Sequence, residues 1–216
     1  MTLLQEYNIL NIIKESNTVE RFVYASSSLV YGDFKEIPAS EDHLKFPKDI
    51  YGGTKLAGEI LTETYGRRYG IGYTIIRPSA VYGPTDINRR VIQIFIENAI
   101  KEESIVVHGA KENVLDFTFV EDCANGFVLA AFSDNGKNEV FNITRGEGRC
   151  LEECVEIIKG YFPDLKFEYR EMRVDRAKRG ALSINKAKDL LGYEPQFSLE
   201  EGIKKYIGFY QQYGRY

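Results

Sequence analysis

The chain reads as an α/β protein built on a parallel sheet, and three observations predict it. A short β-rich run at Arg21–Ala25 (RFVYA) is followed by a helix-periodic stretch over 51–69. A second such run then comes at Tyr73–Arg77 (YTIIR). Strand, helix, strand in that order is the repeating unit of parallel sheets. Both runs are largely apolar rather than alternating, as strands covered on two faces are. Finally, Ser26, Ser27 and Ser28 follow the first run directly, at the strand end where open α/β sheets place ligands.

Each element has a local signal. Leu3, Tyr7, Leu10 and Ile13 recur at helical spacing over residues 2–16, and Ile9 and Ile12 widen the apolar arc. Residues 32–50 are polar, carry Pro38 and Pro47, and read as a long loop. The helix over 51–69 is expected to bury a stripe of Ala57, Ile60, Leu61, Thr64 and Tyr65, and Gly70 ends it. Past Pro84 the pattern predicts a helix at 91–100, strands at 105–107 and 116–119, and a helix at 121–132. A strand follows at 140–143, then helices at 151–161, 185–191 and 199–213, with Gly192 to Pro195 breaking the chain before the last.

Composition narrows the class. With 216 residues the chain can form a real core, and 44% hydrophobic with 28% charged residues is ordinary for a globular protein. A net charge of −4 offers no electrostatic reason for nucleic acid or an anionic membrane as partner. No apolar run reaches the length of a membrane span, and the polar start does not resemble a signal peptide. Three cysteines suit a reducing, cytoplasmic setting. Cys150 and Cys154 lie one helical turn apart, but neither His43 nor His108 is near them in sequence, so they read as structural thiols and no metal is expected.

Three local features could carry chemistry. The serines at 26–28 could equally be a turn or a helix cap. Tyr51 and Lys55, four apart in Tyr51-Gly52-Gly53-Thr54-Lys55, share a helix face that points away from the predicted apolar stripe. A solvated surface pair is the plain reading. The chemical one is that an ammonium one turn away favours a phenolate, which yields a proton donor or acceptor usable near neutrality. The third, Arg77-Pro78-Ser79-Ala80-Val81-Tyr82-Gly83-Pro84, alone would be a rigid turn.

Taken in this order, RFVYASSSLVYG, YGGTKLAGE and TIIRPSAVYGP closely resemble the extended short-chain dehydrogenase/reductases, the NAD-dependent epimerase/dehydratases typified by UDP-glucose 4-epimerase. The resemblance continues through HGAKENVLDFTFVEDCANG, VFNITRGEG and INKAKDLLGYEPQFSLEEGI, and so covers nearly the whole chain. It implies a partial Rossmann-like parallel sheet with a small α+β domain for a nucleotide sugar. Residues 1–84 with about 120–145 would belong to the NAD-binding part, and 85–119 with 146–216 to the substrate part. It implies Tyr51 as acid/base with Lys55 as its partner and Ser27 as the catalytic hydroxyl. Ala25, Ser26, Tyr51, Lys55 and Pro78 would lie against NAD, with NADP left open. Ser28, Ala80, Val107, His108 and Arg173 would lie against the substrate. It also implies a homodimer, made through the helices at 2–16 and 51–69.

The chain departs from the pattern in two ways. No Gly-x-x-Gly-x-x-Gly occurs, so the phosphate-cradling βαβ half, roughly 80 residues, is expected to be missing and NAD binding impaired. Ala80 stands where the family often has Asn, and Leu115 where it usually has Arg. Arg89, Arg90 or Arg179 could supply the lost charge. The expected activity is epimerisation or dehydration of a nucleotide sugar. Two alternatives stay open: a non-catalytic remnant or partner subunit, with a missing N-terminal half as its partner, and a carbonyl reductase of the same superfamily.

Overall fold

A parallel three-stranded sheet organises the first half of the molecule, in the order β1 (Arg21–Ala25), β2 (Gly72–Pro78), β7 (Glu139–Ile143). A computed structural model describes residues 3–16, 18–171 and 176–214. The registers Ala25↔Ile76 and Pro78↔Ile143 bring the ends of the three strands to one edge, so Ser26–Ser28, Ser79–Ala80 and Thr144 emerge together. Among the described residues β1 pairs only with β2, which leaves its outer edge open. The remaining elements are α1 (Leu3–Lys14), α2 (Ile50–Tyr69), β3 (Val81–Tyr82), α3 (Val91–Ile100), β4 (Ile105–His108), β5 (Val114–Asp116) and β6 (Thr118–Phe119). After them come α4 (Val120–Phe132), β8 (Gly148–Cys150), α5 (Leu151–Lys159), β9 (Phe167–Arg170), α6 (Asn185–Leu191) and α7 (Leu199–Tyr213). No helix among the described residues is long and apolar enough to cross a membrane.

The ranges expected for β1, α6 and α7 coincide with those observed. The pairs β3–β6, β4–β9 and β5–β8 are two- to four-residue ladders. Pieces that short carry no readable periodicity, and β3, β8 and β9 were not expected from the sequence.

Two expectations for the first helices are corrected. The inward face of α2 is Gly52, Gly58, Glu59 and Thr62, whereas Ile60 and Thr64 of the expected stripe are exposed. The cause is a polar interface. A Cβ on Gly58 would meet the Tyr24 hydroxyl at 2.1 Å and Glu6 at 2.4 Å, so only glycine lets α2 approach there. Thr62 donates to the buried Glu6 carboxylate at 3.1 Å, and burial raises the pKa of that carboxyl. In α1 the buried residues are Glu6 and Leu10, while Tyr7 is exposed, contrary to the expected stripe. Tyr65 on α2 reaches α1 through Asn11 at 3.0 Å and packs edge-on against Tyr7.

Apolar packing lies in two places. A large cluster built from α3, α5 and α7 with β3 to β6 includes Ile96, Ile105, Phe119, Val155, Ile203 and Tyr206. A smaller one joins Ile76, Phe141 and Ile143 of the sheet to Ala187, Leu191 and Tyr193, so α6 packs on the three-stranded sheet.

Candidate active site

The strand ends open into a cleft of about 820 Å³ lined by the serines at 26–28, Tyr51, Pro78 to Tyr82, Asn88 to Ile92 and the apolar Phe95, Leu115 and Phe117. Ser27 is the cap of a 3-10 turn over Ser28–Tyr31, and its Oγ accepts the Leu29 N–H at 3.2 Å. Gly32 ends that turn at φ 68, where a side chain would strike the Phe46 carbonyl. Asp49 caps α2 by accepting the Gly52 N–H at 2.6 Å, and thereby fixes the first turn that carries Tyr51. Tyr51 is 53% exposed, while Ser27 is buried.

Lys55 is held by its neighbours. Its Nζ donates to the Ala25 carbonyl at 2.7 Å and lies 5.3 Å from the Tyr24 ring and 5.7 Å from the Tyr51 ring. Burial lowers its pKa, and the charge of Glu6 acts against that. Lys55 and Ala25 are not among the residues that line the cleft.

Behind the serines runs a buried polar network. Ser26 donates to Glu59, which receives a two-pronged contact from Arg77 at 2.7 and 2.8 Å. Arg77 also donates to the Tyr31 hydroxyl and to the Glu41 carbonyl, both at 2.9 Å, and Tyr31 donates to Asn142 at 2.7 Å. One ion pair thus ties together α2, β1, β2, β7 and the serine turn, with planar geometry that suits arginine and carboxylate. The 77–84 motif therefore begins with a structural arginine, not a site residue.

Pro78, Ser28 and Ala80 lie on the cleft wall. Ala80 sits at φ 36, a left-handed conformation that costs an L-residue on the order of 1–3 kcal/mol and clusters at functional sites. Val107 is corrected. It is fully buried in the large cluster, and its neighbours Val106 and His108 line the cleft, because successive strand side chains face opposite ways. Arg173 lies outside the described residues. Asn113 and Arg176 also line the cleft and were not foreseen. Arg176 carried one signal, the cluster of four basic residues between 173 and 179.

Asp116, buried beside Leu115, accepts from Thr144 at 3.0 Å and from the N–H groups of Gly146 and Leu182 at 3.1 and 2.9 Å. Burial pushes its pKa up to about 6 against those bonds. Cys154 is buried, and no group of three or more His, Cys, Asp or Glu among the described residues is arranged to hold a metal.

Residues 2–144 match the model of the NAD dependent epimerase/dehydratase family. The chain belongs to that family. It is 33% identical to a putative UDP-glucose 4-epimerase of Methanocaldococcus jannaschii, over all of this chain and 70% of that protein. It is 30% identical to UDP-glucuronate 4-epimerase 1 of Arabidopsis thaliana, over 97% of this chain but 53% of the relative. The crystal structure of UDP-glucose 4-epimerase with UDP-glucose from Thermotoga maritima superposes with a TM-score of 0.90 at 30% identity, covering 96% of this chain and 68% of that one. The Bacillus cereus UDP-glucuronic acid 4-epimerase, solved with UDP-glucuronic acid and NAD, gives 0.90 at 27% identity, covering 97% and 67%. The chain thus spans about half to 70% of the length of these relatives.

Proposed function

We propose that this chain carries the substrate cleft and the proton-transfer residues of an enzyme that epimerises or dehydrates a nucleotide sugar. The observation that carries the reading is one wall. Ser27 and Tyr51 stand together in a cleft whose charged lining among the described residues is Arg89, Arg90, Arg176 and Arg179. Glu97 and Asp86 answer Arg89 and Arg90, but a neutral carbonyl substrate gives no reason for Arg176 and Arg179 as well, so the reductase alternative is disfavoured, while a sugar joined to a diphosphate supplies both a hydroxyl and a dianion. The phenolic oxygen of Tyr51, without its own proton, would take the proton of the reacting sugar hydroxyl and return it as the phenol, and Ser27 would hydrogen-bond the same sugar oxygen. Lys55 keeps a positive charge beside the phenol.

The residues present fit one end of NAD. Ser26, Pro78 and Tyr51 line the cleft and would face the nicotinamide and its ribose, with Lys55 one turn from Tyr51, and NAD when bound would supply hydride acceptance and return. For the pyrophosphate these 216 residues contain no Gly-x-x-Gly-x-x-Gly, and among the described residues β1 has no partner on its outer edge. By itself the chain is therefore expected to hold NAD weakly. Residues 1–84 with 120–145 would contribute to the cofactor side and most of the rest to the substrate side, with α6 joined to the sheet. Leu4, Ile12 and Ile60 are more than half exposed on α1 and α2, and we place a homodimer contact there.

The test is a pair of measurements. UDP-glucose and UDP-glucuronate are titrated into the chain and into its Tyr51→Phe variant, and both should bind alike. In the longest protein that contains the chain, supplied with NAD, Tyr51→Phe should lower kcat by roughly 10²–10⁴-fold with little change in binding. A variant with near-normal kcat would move the proton transfer to another group.

A further inference from the structure

Among the described residues three buried side-chain atoms meet no hydrogen-bond partner: Asp86 Oδ2, Gln93 Oε1 and the Tyr206 hydroxyl. An orphaned buried polar group is costly, so three in one neighbourhood call for a reason. They belong to the 85–90 segment, to α3 and to α7. The same three elements wall a second cavity, of about 650 Å³. Its described lining shares only Arg89 with that of the cleft.

The helix α3 turns different faces to the two cavities. Val91, Ile94 and Phe95 line the cleft, while Gln93 and Glu97, one turn apart, line the second cavity. Glu97 is satisfied. It accepts from Arg89 at 2.8 and 3.1 Å, from Gln93 Nε2 at 3.0 Å and from the Tyr210 hydroxyl at 3.0 Å. With its nitrogen held on Glu97, the Gln93 amide has its oxygen uncommitted. Asp86 is fixed as well. Its Oδ1 accepts the Asn88 N–H at 2.9 Å, and Oδ2 has only Arg90, 3.8 Å away. Thr85 and Arg89 flank it at φ 68 and 48, the left-handed region that L side chains rarely adopt and that clusters at ligand clamps.

Both orphaned oxygens on this lining are acceptors, so a ligand has to bring donors. Arg89 and Lys101 line the cavity and Arg90 stands beside Asp86, so a cationic donor is repelled and neutral hydroxyls fit. On the α7 side the half-buried Phe209 ring supplies an apolar platform, which suits the C–H face of a saturated ring. We propose that this cavity is a second ligand site, for a neutral hydroxylated ring such as a monosaccharide or a cyclic polyol, with Asp86 and Gln93 accepting from its hydroxyls and Phe209 packed against its face. The volume is in the range of small-molecule sites. Nothing in this assignment depends on what the cleft binds.

The test titrates D-glucose, D-galactose and myo-inositol into the chain by NMR and follows the melting temperature in parallel. At least one of the three should bind saturably and raise Tm. Asp86→Asn keeps an oxygen for the Asn88 N–H and turns the orphaned acceptor into a donor. It should weaken that ligand about 10- to 100-fold. Phe209→Leu keeps apolar volume and loses the flat ring, and should weaken it about 3- to 10-fold. Tyr51→Ala, at an exposed position of the cleft, should leave the affinity unchanged. If Asp86→Asn fails to fold, as its own melting curve would reveal, Phe209→Leu decides. Absence of saturable binding by all three probes overturns the proposal. So does equal affinity in the wild type and both cavity variants. Binding that Tyr51→Ala abolishes and the cavity variants retain would put the ring in the cleft, and the second site would fall.

Discussion

The sheet region and the α3–α5–α7 region hold themselves together by opposite means. Around β1, β2 and α2 the interior is polar: Glu59 and Arg77 are both buried, joined to each other, and surrounded by Ser26, Tyr31 and Asn142. Around α3, α5 and α7 the interior is a continuous apolar cluster with Ile96, Phe119, Val155 and Ile203 at its centre. A polar interior defines one arrangement, because every member must meet its partner. An apolar interior tolerates substitution if volume is kept. Ser27 and Tyr51 grow from the first region, and the apolar floor of the cleft, Phe95, Leu115 and Phe117, comes from the second.

The largest expected effect breaks one partner of the polar region. Arg77→Met leaves Glu59 buried and uncompensated and should cost about 3–5 kcal/mol in urea unfolding. Adding Glu59→Leu should restore most of that stability while still disordering the serine turn. Phe119→Ala in the apolar region should also cost about 3–5 kcal/mol, but a second truncation there, such as Ile203→Ala, should add to it rather than rescue it. Equal behaviour of the two double variants would erase the distinction.

A smaller effect sits where the two regions meet. Asp116→Asn turns a group that accepts from Thr144, Gly146 and Leu182 into one with a single acceptor oxygen, and should cost about 2–3 kcal/mol. The pKa of Asp116 is raised in the folded state, so folding favours its protonated form. Its contribution should therefore improve as pH falls from about 6 toward the ordinary carboxylate range, and be least favourable above that window. The slope of unfolding free energy against pH, compared with that of Asp116→Asn, reads this directly.

At the small end, Ser198→Ala should cost about 1 kcal/mol by removing one half of the capping box with Glu201. Ile12→Glu on the outer face of α1 should leave unfolding nearly unchanged. In sedimentation it should reduce self-association, and an unaltered mass distribution across concentrations would count against the helix-pair contact.

Most helices and the three long strands were legible because period and punctuation agree. Stops such as Gly70 and the break at Gly192 mark the ends within a residue or two. The short ladders were not legible, and neither was the direction in which α2 faces. Its apolar residues suggested one stripe, but the helix approaches the sheet through Gly58, Glu59 and Thr62 because the partners there are a tyrosine hydroxyl, an arginine and a carboxylate. Val107 failed by one position for a similar reason. The strand could be located, but which of its faces met the core depended on α3 and α5.

The sequence by itself determined the local chemistry: three serines at a strand end, Tyr51 and Lys55 one turn apart, and a serine-capped last helix. Those depend on neighbours in the chain and on intrinsic backbone preferences, so they survive without knowledge of distant contacts. Only the tertiary structure decided which charges meet a partner among the described residues and which line the cleft. Arg77, Arg89, Arg90, Arg176 and Arg179 look alike in the sequence. Long-range partners give the first to Glu59 and the second to Glu97, hold the third at the Val81 carbonyl, and leave the last two on the cleft wall. The energy of an arginine is set by where its counter-charge lies, and that is a property of the folded chain.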